Sequence, residues 1–245
     1  MSKICKILHT GSLIVPQKWV PNVTSGINRL YYIHGGEGGY LKNGNLIPFQ
    51  TGRLYLIPSS ANIYTYAPSH EGRLVHSFAN FELLPPILSK EVLSIDPLED
   101  PLYNAALELF CAISKKSTLN GSIDENEREL LSSAVIYLSE RAALKSDAKI
   151  LDDNIVLYAL ETMHSRFDEK IKISDIAAAC YMSNDGFIRR FTKALGETPY
   201  VYLKKLRLRH AAALRKTGAT LDEAAEKCGY SDATALLHAI KNNGR

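Results

Sequence analysis

The last hundred or so residues contain an imperfect copy of themselves, and this repeat limits the possible folds more than any other feature of the chain. Ile173-Ser-Asp-Ile-Ala-Ala-Ala-Cys180 aligns at an offset of 48 with Leu221-Asp-Glu-Ala-Ala-Glu-Lys-Cys228. After a one-residue insertion, Phe187-Ile-Arg-Arg-Phe191 aligns with Leu236-Leu-His-Ala-Ile240. Each copy predicts a short helix, a tight turn (Tyr181-Met182; Gly229-Tyr230) and a cap residue (Ser183; Ser231 or Asp232). A second helix with apolar residues four apart follows. Thr220 and Glu223 add a capping box, in which each side chain satisfies an orphan helix N–H. Two helices of about 7 and 10 residues joined by a turn of 3 to 4 form a helix-turn-helix, and here there are two in tandem.

The segment between the copies is a single rod. Pro199 suits the first turn of a helix and Gly218 the position past its end, with no breaker from Tyr200 to Thr217. At 1.5 Å per residue this spans roughly 28 Å, comparable with the ~34 Å of one DNA turn. Such a rod can present two recognition helices to successive major grooves. From Arg189 to Lys216 the chain carries nine basic residues (Arg189, Arg190, Lys193, Lys204, Lys205, Arg207, Arg209, Arg215, Lys216) and one acid, Glu197. That local excess points to a polyanionic partner such as nucleic acid, with a plain basic surface as the alternative, although the net charge is only +3; placed beside the paired helix-turn-helix units it favours double-stranded DNA.

The front of the chain reads differently. Up to about residue 85 it is rich in Gly, Pro, Asn and Tyr, with strand-type runs at Arg29–Ile33, Arg53–Ile57 and Arg73–Phe81. Asn43-Gly44, between Gly39–Lys42 and Asn45–Phe49, predicts a two-residue hairpin, and closely spaced hairpins indicate a sandwich or barrel. From Pro101 the period becomes helical over Pro101–Lys116 and Asn126–Lys145, the second through Leu130, Leu131, Ala134, Val135, Leu138 and Ala142. The expected class is α+β, in three parts: an N-terminal β-barrel over 1–95, an acidic helical linker and dimerisation segment over 96–149, and an all-α DNA-binding domain over 150–245.

Several classes are disfavoured. No apolar run approaches the ~18 residues of a membrane span and Met1–Lys6 leads into no signal-peptide core, so a cytoplasmic protein is expected. The four cysteines, Cys5, Cys111, Cys180 and Cys228, lie far apart, as buried thiols would. Neither a Gly-rich phosphate loop nor a G-x-S-x-G elbow occurs.

The C-terminal residues Ile176-Ala177, Ser183, Phe187, Arg189, Phe191, Gly196, Pro199, Tyr202, Arg207-Leu208, Ala211, Leu214, Ala225, Gly229-Tyr230, Asp232, Leu236 and Lys241 resemble the AraC family of bacterial transcription regulators. The resemblance implies a seven-helix domain with two helix-turn-helix units. It extends more loosely to His34-Gly-Gly-Glu-Gly, Gly52-Arg-Leu-Tyr-Leu-Ile-Pro58 and His76–Phe81, which look like the cupin-type sensor barrel of sugar-responsive members. Two departures stand out. His238 holds a position where the family commonly has arginine, and the sequence stops at Asn242-Asn-Gly-Arg245 where a further Gly-x-x-Pro segment usually follows, so either a short second unit or a clipped chain end is expected.

Helical periodicity assigns roles to the recognition helices. In the first, Phe187 and Phe191 are core, leaving Asn184, Asp185, Ile188 and Arg189 toward solvent or the groove. Arg189 is expected to contact guanine bidentately, with a phosphate or an intradomain acid as the alternative; Asp185 can accept from a cytosine amino group. In the second, Leu236 and Ile240 are expected in the core and Ala233, Thr234, Leu237 and His238 at the bases, with Leu237 meeting a thymine methyl or packing inward. Lys193, Lys204, Lys205, Arg209 and Lys241 are phosphate-contact candidates. Strand alternation puts Leu74, His76, Phe78 and Asn80 on one face. The resemblance places His76 and Phe78 in an effector pocket with Tyr66 and His34 nearby, for a sugar-like or other small molecule. These features together read as an effector-controlled, sequence-specific DNA-binding regulator, an activator or a repressor, acting as a homodimer with RNA polymerase as a further partner. The alternative is a metal-dependent cupin enzyme with a degenerate DNA-binding appendage. Its only candidate ligands, His34, Glu37, His70 and His76, form no tight pair, so no catalytic residue, metal or cofactor is expected.

Overall fold

The change from strand to helical periodicity near Pro101 is the main division of secondary structure in the computed structural model, which describes residues 3–15, 27–61, 64–66, 73–97, 99–216 and 218–242. The strands are β1 (Ile4–Val15), β2 (Asn28–Gly35), β3 (Gly39–Lys42), β4 (Asn45–Pro48), β5 (Leu54–Ile57), β6 (Tyr64–Tyr66), β7 (Leu74–Leu84), β8 (Ile87–Leu88) and β9 (Leu93–Ile95). Helices α1 (Pro101–Asn120) and α2 (Glu125–Leu144) follow, then β10 (Lys149–Ile150). The remaining helices are α3 (Asn154–Ser165), α4 (Ile173–Ala179), α5 (Asn184–Leu195), α6 (Pro199–Lys216), α7 (Leu221–Glu226) and α8 (Ala233–Lys241). The chain has the expected α+β composition, in two units, Met1–Ile150 and Leu151–Arg245.

In the first unit an antiparallel sheet of order β1-β7-β2-β5-β9 stands beside a three-stranded sheet, β4-β3-β6, and a short ribbon, β10-β8. Among the described residues the strands are hydrogen-bonded into these three sheets. The predicted hairpin is present: Lys42 pairs with Asn45 across Asn43 and Gly44, whose φ values of 52° and 80° are those a two-residue turn of this hand requires. One face of the large sheet carries Leu30, Leu54, Leu56, Ala79, Phe81 and Leu83 into a core shared with Tyr103, Phe110 and Ile113 of α1 and Leu131, Val135 and Leu138 of α2. The other carries Tyr31, Ile33, Tyr55, Ile57, Leu74 and Phe78 against Phe49. Burial on both faces explains why β5 reads as an unbroken apolar run.

Because α1 and α2 complete the sheet's core, no structural division falls at residue 95. Asp100 accepts from the N–H groups of Leu102 and Tyr103 and also binds the Tyr137 hydroxyl and Arg141, tying the start of α1 to α2. Side chains of α1 also cap the edge strand β1: Ser117 Oγ donates to the Thr10 carbonyl and the Ser12 N–H donates to Thr118 Oγ1. Leu130, expected inside, is exposed. Leu131, expected inside as well, is fully buried.

The second unit has six helices among the described residues, α3 to α8, one fewer than the resemblance implies; Thr217 and the final residues 243–245 lie outside the described residues. No helix among the described residues is long and apolar enough to cross a membrane.

Candidate nucleic-acid interface

The repeat seen in the sequence is a repeat of backbone geometry. In the first copy the Met182 N–H donates to the Ala177 carbonyl at 2.9 Å; in the second the Tyr230 N–H donates to the Ala225 carbonyl at 3.0 Å. Between them sits a residue in the left-handed conformation, Tyr181 at φ 55° and Gly229 at φ 72°. These hydrogen bonds close the C-termini of α4 and α7 and reverse the chain into the next helix. Ser183 then accepts from the Gly186 N–H at 3.2 Å to cap α5, and Asp232 accepts from the Ala235 N–H at 2.8 Å to cap α8. The Thr220–Glu223 capping box forms as expected. Asp232, not Ser231, is the cap of the second copy, which places the one-residue insertion at Ser231.

Helix α6 joins the copies. Its 18 residues span roughly 27 Å. Phe187 and Phe191 are fully buried, and the Phe191 ring meets Tyr202 of α6 at 5.8 Å. Farther along, Ala211 enters a cluster with Ala224, Ala225, Cys228 and Leu236. The rod therefore contributes to the cores of both copies.

With those residues inside, Asn184, Asp185, Arg189 and Lys193 of α5 are exposed and Ile188 is half-buried. On α8, Thr234, Leu237, His238 and Lys241 are exposed and Ala233 is half-buried. The Asp232 cap matches Ser183, so Asn184 corresponds to Ala233, Asp185 to Thr234, Ile188 to Leu237 and Arg189 to His238. The two copies present the same outward positions with different chemistry. Leu237, 40% exposed, lies outside the core. Ile240 does too, against expectation, at 48% exposure where its counterpart Phe191 has none. Phe191 is covered by α6, and no described helix follows α8 to cover Ile240.

The basic cluster divides by function. Arg190 donates to both carboxylate oxygens of Asp153, the cap of α3, at 2.9 and 3.2 Å. Burial opposes ionisation of Asp153, but Arg190 and the Val156 and Ile155 N–H groups outweigh it and hold its pKa below the usual carboxylate value. Lys205 pairs with Glu197 at 2.6 Å. Arg207 donates to the Phe167 and Glu169 carbonyls at 2.7 and 2.6 Å. Lys204 lies 3.5 Å from the Asn242 carbonyl and the Arg209 guanidinium sits 6.0 Å from the Tyr202 ring centre. Lys204, Lys205 and Arg209, all expected at phosphates, thus have partners within the protein. Arg189, Lys193 and Lys241 are left as exposed cations on the recognition helices.

In the first unit the expected effector residues are separated. Alternation along β2 sends Tyr31 and Ile33 to the aromatic face with Phe78 and Leu74, and Tyr32 to the helix-side core. His34 follows Tyr32: its Nε2 lies 2.8 Å from Ser77 Oγ and its ring 5.0 Å from Tyr32. His76 faces the other way, 4.9 Å from the Tyr31 ring and 5.7 Å from Phe78. The sheet therefore stands between His34 and the pair His76 and Phe78. Burial, then the nearby His34, lowers the His76 pKa to about 4, so its imidazole is neutral at physiological pH. The side chain of Tyr66, like His70, lies outside the described residues. Among the described residues, no group of three or more His, Cys, Asp or Glu is placed to hold a metal ion.

Residues 176–243 match the helix-turn-helix domain family. Over 215 residues the chain is 22% identical to the lactose operon transcription activator of Staphylococcus xylosus, an alignment covering 83% of this chain and 75% of that protein. The fold is similar to that of ToxT from Vibrio cholerae, with a TM-score of 0.58 and 12% identity over 99% of this chain and 95% of that one. The chain is thus similar to AraC-type transcription regulators, in its helix-turn-helix domain and in its fold.

A second ToxT structure, with an unsaturated fatty acid bound, matches at a TM-score of 0.58 and 10% identity over 98% of this chain and 91% of the other. His238, at a position where the resemblance leads to arginine being expected, is exposed on the outward face of α8. Tyr181, in the first turn, is 99% exposed. Sequence reasoning missed the partners of Arg190 and Lys205, although Glu197 within 189–216 and the excess of acids outside it were signals that some of these cations would be answered within the protein.

Proposed function

We propose that this chain is an AraC-family regulator that reads two adjacent DNA sites with α5 and α8, and that a small molecule in the N-terminal unit controls that reading. The observation that carries the DNA half is one rod supporting two equivalent recognition helices whose outward positions are polar, cationic or methyl-bearing. Arg189 contacts a guanine, and Asn184, Asp185 and Ile188 flank it. Ala233, Thr234, Leu237 and His238 read the second site, where methyl contacts to thymine favour A·T pairs. Lys193 and Lys241 neutralise phosphates.

The effector half is argued from the aromatic face holding His76 and Phe78, which offers a neutral imidazole beside apolar walls. A sugar suits that chemistry, and one relative is named as a lactose operon activator. Residues 1–95 and 96–149 act together as the sensor, with α1 and α2 also joining two protomers. The protein works in the cytoplasm by binding, not catalysis, and contacts RNA polymerase when it activates.

Titration of duplexes selected from a random pool tests this reading. Arg189→Ala relaxes preference at one base pair by about 1–3 kcal/mol, whereas Lys193→Ala weakens all sequences evenly and lowers the salt dependence. Binding with no base preference in the wild type contradicts it.

A further inference from the structure

At one end of the N-terminal unit lies a cavity of about 160 Å³. Leu83, Leu84, Pro85, Ile87 and Ile150 wall it, and Lys3 and Glu140 stand at its rim. Lys3 Nζ and Glu140 Oε1 are 2.6 Å apart, with the side chains 50% and 24% exposed. Leu83, Leu84 and Ile87 are buried, while Ile150 is partly open. None of these residues belongs to the aromatic face around His76.

We propose that this cavity binds a branched aliphatic α-amino acid as its zwitterion, the carboxylate on Lys3, the ammonium on Glu140 and the hydrocarbon side chain against the aliphatic wall. The size sets one limit. At about 30 Å³ per water the cavity holds the volume of roughly five waters, well below the ~300 Å³ at which sites for drug-sized ligands begin. The composition of the wall sets another: it is aliphatic throughout, with no hydrogen-bonding side chain to hold a sugar hydroxyl. The rim decides the head group. A simple acid would satisfy Lys3 and face the like charge of Glu140, and a simple amine would do the reverse. A molecule that carries an ammonium and a carboxylate on one carbon answers both. An ion pair this exposed contributes little, so opening it to admit the ligand costs little.

The location gives the site a consequence. Ile150 pairs with Ile87 in the β10–β8 ribbon and is the last residue of the N-terminal unit. A side chain seated against both braces the point where the chain leaves that unit. This part of the inference rests on the effector-controlled reading above; the binding itself does not.

Calorimetric titration of the full chain with L-leucine and L-valine, beside 4-methylpentanoate and 3-methylbutylamine, tests it. The expected result is saturable binding of the amino acids, with the acid and the amine each at least about tenfold weaker, as the loss of one charge-assisted contact requires. Lys3→Met changes an exposed side chain and Glu140→Gln a half-buried one of nearly the same shape, so both should fold, as circular dichroism will check; each weakens binding by at least about tenfold. Ile150→Phe, which fills the cavity without touching either charge, abolishes it. No saturable binding of either amino acid, binding that all three variants leave intact, or equal binding of the simple acid each overturns the proposal. Parallel DNA titrations keep the two readings apart. DNA binding without amino-acid binding removes only this proposal, and amino-acid binding without DNA binding supports the cavity while removing the regulator reading.

Discussion

Replacing Gly229 by alanine is expected to destabilise the C-terminal unit by about 2–3 kcal/mol, whereas replacing its counterpart Tyr181 by glycine changes stability by less than about 1 kcal/mol. Both positions reverse the chain between paired helices and both have positive φ, 72° and 55°. A left-handed residue with a Cβ costs roughly 1–2 kcal/mol. At Gly229 a Cβ would also stand 2.8 Å from the Asp168 carbonyl oxygen and 3.0 Å from the Arg207 guanidinium. Neither can withdraw easily: one is backbone, and the other is held by its hydrogen bonds to the Phe167 and Glu169 carbonyls. That contact adds about 1 kcal/mol, in the range of overpacking costs. Tyr181 already carries the conformational cost and is 99% exposed, so removing its side chain loses no packing. The relief is offset by the extra freedom glycine gives the unfolded chain, about 0.5–1 kcal/mol.

Scanning calorimetry of the full chain reads the difference. For a unit of 95 residues, Leu151–Arg245, each kcal/mol moves the midpoint by about 4–8 °C, so Gly229→Ala lowers that transition by roughly 10–20 °C and Tyr181→Gly by no more than a few degrees. A loss below about 0.5 kcal/mol for Gly229→Ala, or equal damage from both variants, refutes the argument that the second turn is closed by steric fit.

Two further outcomes follow from the ionisable groups. Arg190→Ala removes a half-exposed ion pair and should cost about 0.5–1 kcal/mol in urea unfolding without altering base preference. Because Asp153 has a depressed folded pKa, its contribution is present above the ordinary carboxylate range and is lost as pH falls through it; the variant should show a shallower acid loss. His76 titrates near 4 when folded against about 6.5 unfolded. The unfolded state therefore takes the proton first, so stability is full above about pH 6.5 and declines by about 3 kcal/mol toward pH 4. Urea unfolding of His76→Gln across that range should lack this component; an unchanged slope shows that His76 is not held neutral.

The tandem repeat, its caps and the rod between the copies were legible in the sequence because each depends on local signals: Ser183, the Thr220–Glu223 box, Pro199 and Gly218 act within a few residues of themselves. The Asn43-Gly44 hairpin was legible for the same reason. What depends on distant partners was not. The fate of Lys205 and Arg190 was set by Glu197 and Asp153, which a tally of charges treats as separate. Ile240 has the spacing of a core residue, but burial requires a neighbour that periodicity cannot supply. His34 lies near His76 in the family pattern, yet one step of strand alternation put it on the opposite side of the sheet. The border at residue 95 followed a change of period, while the core of Phe81, Phe110 and Leu138 crosses it.

The most direct test of two-site reading is selection of bound sequences from random duplexes by the wild type, by Arg189→Ala in α5 and by Leu237→Ala with His238→Ala in α8. The expected result is a bipartite motif with centres about 10 base pairs apart, in which the α5 change relaxes only one half and the α8 change only the other. A single undivided motif, or a motif that the α8 substitutions leave unaltered, contradicts the role of the second helix-turn-helix.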